Sequence, residues 1–150
     1  MKILVITTFY PHPERKDLLR DTSAVHYIAR EWVKQGHQVT VLHCYGHYFR
    51  ELVKELGKHD FRRYGKIQEC PNNEGVRVLL LEEQFWLRNA KWYLPVQQKK
   101  MAVAINQYFH EKEYEPDVLL VHFPTNYVGI VERLDIHCKT VSYTHLTLPT

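Results

Sequence analysis

Three places in this chain hold side chains able to do chemistry. The apolar run Val118–Val121 ends at His122. An imidazole there can donate a hydrogen bond or exchange a proton near neutral pH; the plainer role is a strand-end histidine bonded to backbone. The segment Thr8-Phe9-Tyr10-Pro11-His12-Pro13 follows a second apolar run, Ile3–Ile6, and leads on to Asp21 and Thr22. The oxygens of Asp21 and Thr22 suit the free N–H groups that open a helix, and those same N–H groups can hold an anion. Helix capping is the plainer role for Asp21 and Thr22, and loop packing for Tyr10; either is compatible with ligand contact. Thr125 and Asn126 lie just beyond His122. In an open parallel sheet, ligands bind past the carboxyl ends of strands, so Thr8–Pro13 and His122–Asn126 are where a site is expected.

His43, Cys44 and His47 invite a metal reading. Two histidines four apart share a face on a helix, but His43 and Cys44 end a predicted strand, and no carboxylate supplies an obvious third ligand. No metal and no cofactor is expected. Cys44, Cys70 and Cys138 are few, widely spaced and odd in number, which fits reduced thiols in a cytosolic setting.

The elements that must position these groups follow from periodicity. Lys2–Thr7 is a compact β-branched run, expected as a central strand buried on both faces. Val25, Ile28, Ala29 and Trp32 recur at helical spacing, with Asp21-Thr22-Ser23 before them and the stop signal Gly36 after. Gln38–Cys44 is a second strand, making Lys2–Cys44 a parallel β-loop-α-β unit. Phe49, Leu52, Val53 and Leu56 suggest a short helix ending near Gly57. Pro71–Gly75 reads as a turn and Val76–Leu81 as a third strand. A helix is predicted from Pro95 to about Lys112 with Met101, Ala104, Ile105 and Tyr108 inward. Val118–Val121 is the fourth strand. A further helical stretch starts at Thr125 and carries Tyr127, Ile130, Val131 and Leu134. This alternation predicts an α/β fold, a doubly wound parallel sheet.

The chain has 150 residues, 45% of them hydrophobic and 25% charged, the size and balance of one globular domain. A net charge of +3 is too small to point to nucleic acid and leaves room for anionic small molecules or an anionic membrane surface. No run is long and apolar enough to serve as a signal peptide or membrane span, so the expectation is a cytoplasmic protein with at most peripheral attachment to the membrane. Phe85-Trp86-Leu87, Lys91-Trp92-Tyr93 and Lys99-Lys100 interleave rings with cations, a composition suited to a membrane interface; the plainer role is packing at a loop and helix edge. Lys54, Lys58, Arg62, Arg63 and Lys66 read as a solvated face.

The final residues, VSYTHLTLPT from Val141 to Thr150, translate a DNA string, GTC TCT TAT ACA CAT CTG ACG CTG CCG ACG, that looks like a sequencing-library adapter. The adapter places CT before that string, and Thr140 has a codon ending in CT. The expectation is therefore one domain over residues 1–140, an adapter-encoded tail over 141–150, and natural sequence continuing beyond. Tyr143 and His145 carry no site reading.

Three segments together resemble the N-terminal domain of family 4 glycosyltransferases of the GT-B fold: MKILVITTFYPHP at the start, YIAREWVKQGHQVTVL from Tyr27 to Leu42, and EPDVLLVHFPTNYVGI from Glu115 to Ile130. Their order and spacing carry the likeness, which spans nearly all of Met1–Lys139. It implies a Rossmann-like acceptor-side domain whose donor-binding partner domain lies downstream, absent from this chain. The implied reaction is transfer of a sugar from a nucleotide-sugar donor to a glycan or lipid-linked acceptor, with retention, in which the fragment alone is inactive. The resemblance places His122 in the interdomain cleft as the catalytic residue, and Tyr10, His12, Asp21, Thr22, Thr125 and Asn126 toward the acceptor. One departure stands out: family members often carry a Gly-Gly pair before the first helix, and Glu14–Asp21 has no glycine.

Two other functions compete. A dinucleotide-dependent oxidoreductase needs a glycine-rich turn after the first strand, and Thr8–Pro13 contains no glycine. A non-catalytic α/β binding or regulatory module would use the aromatic and basic segment as its interface.

Overall fold

The computed structural model describes residues 1–12, 23–48, 64–85, 91–122 and 125–142, with the side chains of 48, 125–128 and 142 left aside. The strands are β1 (Lys2–Thr7), β2 (Gln38–Tyr48), β3 (Ile67–Asn73), β4 (Val76–Phe85), β5 (Val118–His122) and β6 (Lys139–Ser142). The helices are α1 (Ala24–Lys34) and α2 (Leu94–Glu111), with 3-10 turns at Lys91–Tyr93 and Thr125–Arg133. All six strands form one sheet in the order β3-β4-β2-β1-β5-β6. The pairs β4·β2, β2·β1, β1·β5 and β5·β6 are parallel, and only β3·β4 is antiparallel. The fold is thus α/β, but the sheet is mixed rather than parallel throughout.

Strand alternation divides the core in two. Leu4, Ile6, Leu42, Leu79, Leu81, Leu119 and Val121 face α2 and the Thr125–Arg133 turn, meeting Met101, Ile105 and Ile130. Ile3, Val5, Val39, Val41, Val76 and Val78 face α1, meeting Val25 and Ala29. A side chain such as Leu4, wholly buried, contributes about 2–3 kcal/mol relative to its exposed state. With both faces covered, β1 must be apolar at nearly every position, and it is: only Lys2 is exposed.

Boundaries read from periodicity hold closely for β1, β5 and α2. Strands β2 and β4 each run four residues past the predicted end, into polar residues that pair through Tyr48↔Phe85. The predicted turn at Pro71–Gly75 is narrower: Pro71, Asn72 and Asn73 belong to β3, leaving Glu74 and Gly75, both with positive φ (49 and 84), as a two-residue hairpin turn. Pro71 is accommodated because β3 is an edge strand whose register shifts between Cys70 and Asn73. Strands β3 and β6 carry no clean alternation and were not expected; β6 crosses from Thr140 into Val141 and Ser142.

In α1 the inward face is rotated from the predicted one. Val25 and Ala29 are buried as expected, but Ile28 is 48% exposed and its place is taken by His26 at 5%. Ser23 occupies the N-cap position without a side-chain capping bond. The helix ends as Gly36 predicts: Gly36 (φ 89) donates to Val33 O and His37 to Trp32 O, the paired bonds of a glycine-terminated helix. The stretch from Thr125 is 3-10 rather than α-helical, with Ile130 buried and Val131 and Leu134 packed beside it. The expected helix around Phe49–Leu56, the loop Glu14–Arg20, and Trp86, Leu87, Lys54, Lys58, Arg62, Arg63, Tyr143 and His145 lie outside the described residues.

Candidate functional site

On the face toward α1, the strands change character at their carboxyl ends. Val5, Val41 and Leu120 lie in one register row; two residues further along come Thr7, His43 and His122, also in one row. Apolar core thus gives way to polar groups at one level of the sheet, on either side of β1. That is where the strand order reverses, β2 lying to one side of β1 and β5 to the other.

His122 is 7% exposed, and its Nδ1 lies 3.1 Å from Thr7 Oγ1. The Phe9 ring stands edge-on to it at 6.2 Å between centroids. Thr7 Oγ1 also accepts from Phe9 N–H at 3.1 Å and lies 3.2 Å from Phe9 O. The hydroxyl has one proton. Donated to Phe9 O, it requires His122 to carry its proton on Nδ1; donated to His122, it places that proton on Nε2.

His12, 5% exposed, stacks on His43 with ring centroids 4.8 Å apart. His12 Nε2 lies 2.6 Å from His43 Nδ1, and His43 Nε2 lies 3.1 Å from Thr8 O. A carbonyl only accepts, so His43 donates from Nε2, leaving Nδ1 to accept the N–H of His12. His43 therefore holds both ends of the first loop's described portion to β2.

Tyr10 has no exposed surface. Its hydroxyl lies 2.7 Å from His26 Nδ1, and His26 Nε2 lies 2.7 Å from Glu74 Oε2. Glu74 also faces Arg30 at 3.4 Å. The hydrogen bond from His26, with Arg30 adding charge, holds the Glu74 carboxyl below its usual pKa. The ionised carboxylate accepts from Nε2–H, and Nδ1 accepts the tyrosine proton. Burial pushes the Tyr10 phenol well above its ordinary range, so it stays protonated. As placed, Tyr10 packs the loop on α1 and the β3–β4 hairpin, the plainer of its two expected roles.

A second buried polar pair sits further along β2 and β4. His47 Nε2 lies 2.9 Å from Glu82 Oε1, and the Glu82 side chain is 0% exposed. On the opposite face, burial raises the Glu83 carboxyl pKa, partly offset by Lys100 at 3.9 Å. The Cys44 thiol is buried, and desolvation raises its pKa, making it a packing group rather than a nucleophile. Because β2 continues through His47, His43 and His47 stand four residues apart on an extended strand, about 13 Å, too far to share an ion. Among the described residues, no group of three or more His, Cys, Asp or Glu side chains is placed to hold a metal.

The structure thus brings His12, Tyr10 and His122 to one end of the sheet. Thr125 and Asn126 open the 3-10 turn after β5, with their side chains outside the described set, as are Asp21 and Thr22 altogether. Sequence reasoning missed Thr7, His26, His43 as a loop anchor, and Glu74. A threonine or histidine at a strand's carboxyl end is a usable signal once the neighbouring strands are known, but Glu74 is visible only through the hairpin that carries it to α1.

No family model, curated protein or solved structure matches the chain.

Proposed function

We propose that this chain is the acceptor-side, Rossmann-like half of a retaining GT-B glycosyltransferase, whose donor domain follows in the parent protein. The observation that carries the reading is the contact of His122 with Thr7 and Phe9, which joins the end of β5 to the first loop where the strand order reverses. Numbered by themselves, the parallel strands lie 3-2-1-4-5, an order in keeping with a doubly wound nucleotide-binding sheet. The first loop contains no glycine, which weighs against a dinucleotide pyrophosphate site.

In this reading the bond from the anomeric carbon to the donor phosphate oxygen breaks, and the acceptor oxygen bonds on the same face. The acceptor's proton leaves with the phosphate. His122, held beside Thr7 and Phe9, places a hydrogen bond where charge develops. The stack of His12 on His43 holds the loop that meets the acceptor. Phosphate stabilisation belongs to the donor domain.

The test uses the parent protein with its downstream sequence restored, following nucleoside diphosphate release from a panel of nucleotide-sugars. His122→Ala is expected to lower kcat by about a hundredfold or more, with circular dichroism checking that the variant folds. Absence of a second α/β domain bearing a glutamate-rich donor motif would overturn the reading. So would turnover indifferent to His122.

A further inference from the structure

The outer side of α2 carries a surface that the sugar-transfer reading does not use. Trp92 is 73% exposed, Val96 46% and Val103 55%. Positions 96, 99, 100 and 103 share one helical stripe of α2, with Trp92 in the 3-10 turn that leads into it, so these apolar groups alternate with Lys99 and Lys100. Lys91 stands beside Trp92, also exposed. Tyr64, Gly65, Glu83, Val96, Lys99 and Val103 line a groove of about 740 Å³ along this stripe.

Charge on the stripe has one sign. From Leu94 to His110 the helix contains no acidic residue. The one carboxyl lining the groove, Glu83, is 4% exposed and faces Lys100. Lys100, itself exposed, is engaged with Gln84 O at 3.0 Å and with Glu83, and Lys91 and Lys99 are the other exposed cations there. Tyr93 and Phe85 are buried behind the stripe, so only part of the aromatic and basic segment belongs to the core. A tryptophan flanked by lysines and valines, with no exposed acid among the described residues of the stripe, matches a surface with anionic headgroups outside and hydrocarbon beneath.

We infer that Trp92 in the 3-10 turn, together with the Val96–Lys99–Val103 face of α2, is a peripheral membrane-binding surface, which lies on anionic lipid with Trp92 at headgroup depth and Lys91 and Lys99 on the phosphates. It is independent of the sugar-transfer reading, since no sugar nucleotide enters the test.

The full chain is mixed with vesicles of phosphatidylcholine alone or with one-third phosphatidylglycerol and sedimented, in low and in high salt. Binding is expected to the anionic vesicles only and to weaken with salt. Lys91→Gln and Lys99→Gln should each reduce binding about fivefold, and Trp92→Ser should reduce it in both salts. Circular dichroism melts check that each variant folds; the lysine changes are at exposed positions and keep the test open if Trp92→Ser does not. Free glycerol phosphate should fail to compete, which separates a bilayer from a headgroup pocket. Equal binding to neutral vesicles, no loss in the lysine variants, effective competition by glycerol phosphate, or a dimer in place of vesicle binding that Trp92→Ser dissociates would each overturn the inference.

Discussion

Tyr10 places its hydroxyl where no water reaches, and His26 is its partner there. Tyr10→Phe keeps the ring's packing but leaves His26 Nδ1 without its donor. The expected cost is about 1–2 kcal/mol, read as a lower denaturant midpoint at unchanged slope. The two carboxylates of contrasting environment give opposite pH signatures. Glu74 has a lowered folded pKa, so its contribution is present above the unfolded carboxyl value near 4.5 and fades as pH falls through the folded value. Glu74→Gln is therefore expected to reduce stability at neutral pH and to converge with the parent in acid. Glu83 has a raised folded pKa because of burial, so the folded state binds the extra proton and stability declines as pH rises from about 4.5 through the folded value. Glu83→Gln is expected to raise the melting temperature at pH 7 and to lose that advantage below about pH 4. A Gln variant that melts lower at neutral pH counts against desolvation as the dominant effect. Of these residues only Tyr10 was legible as a candidate from sequence. Glu83 sits in the run VRVLLLEEQF, where nothing in the pattern says which of two adjacent glutamates faces α2 and which faces His47.

At the level of elements, the β3–β4 hairpin depends on two left-handed residues in succession. A Cβ on Gly75 would stand 2.8 Å from Val33 Cγ1, and its φ of 84 already disfavours a side chain. Gly75→Ala is expected to cost about 1–3 kcal/mol and to loosen the hairpin against α1, seen as faster amide exchange over residues 67–76. Where the 3-10 turn meets α2 the case differs: a Cβ on Gly129 would meet only the amide end of the Gln98 side chain, which can swing aside, so alanine there is expected to cost little. Sequence gave the elements around these turns well where one period dominated, as in β1 and α2. It failed at β3, where Pro71 and two asparagines mimic a loop. They are tolerated only because the strand is at an edge, a fact of topology that the residues do not announce. His26 taking an inward place from Ile28 is of the same kind: a histidine goes inside when a phenol and a carboxylate await it there.

For the molecule as a whole, five parallel strands and the antiparallel β3 make an open sheet with β3 and β6 at its borders. Pro71 withholds a backbone donor from the β3 border. Pro71→Val is expected to restore that donor and promote edge-to-edge association, detectable as concentration-dependent light scattering, with the monomer's helix content unchanged. No described helix is long and apolar enough to cross a membrane. The layered α/β architecture was readable because alternating periods demand it, whereas the mixed sheet was not, since a single antiparallel border strand leaves the central pattern intact.

The chain of Tyr10, His26 and Glu74 has a mechanical meaning. It is a rod of side chains that begins in the loop after β1, crosses the first turns of α1, and ends in the β3–β4 hairpin. Protonating Glu74 removes the charge that His26 and Arg30 meet, and so weakens the last link between the hairpin and the loop that carries Tyr10. The border of the sheet is thereby tied to the loop at its carboxyl end by three side chains.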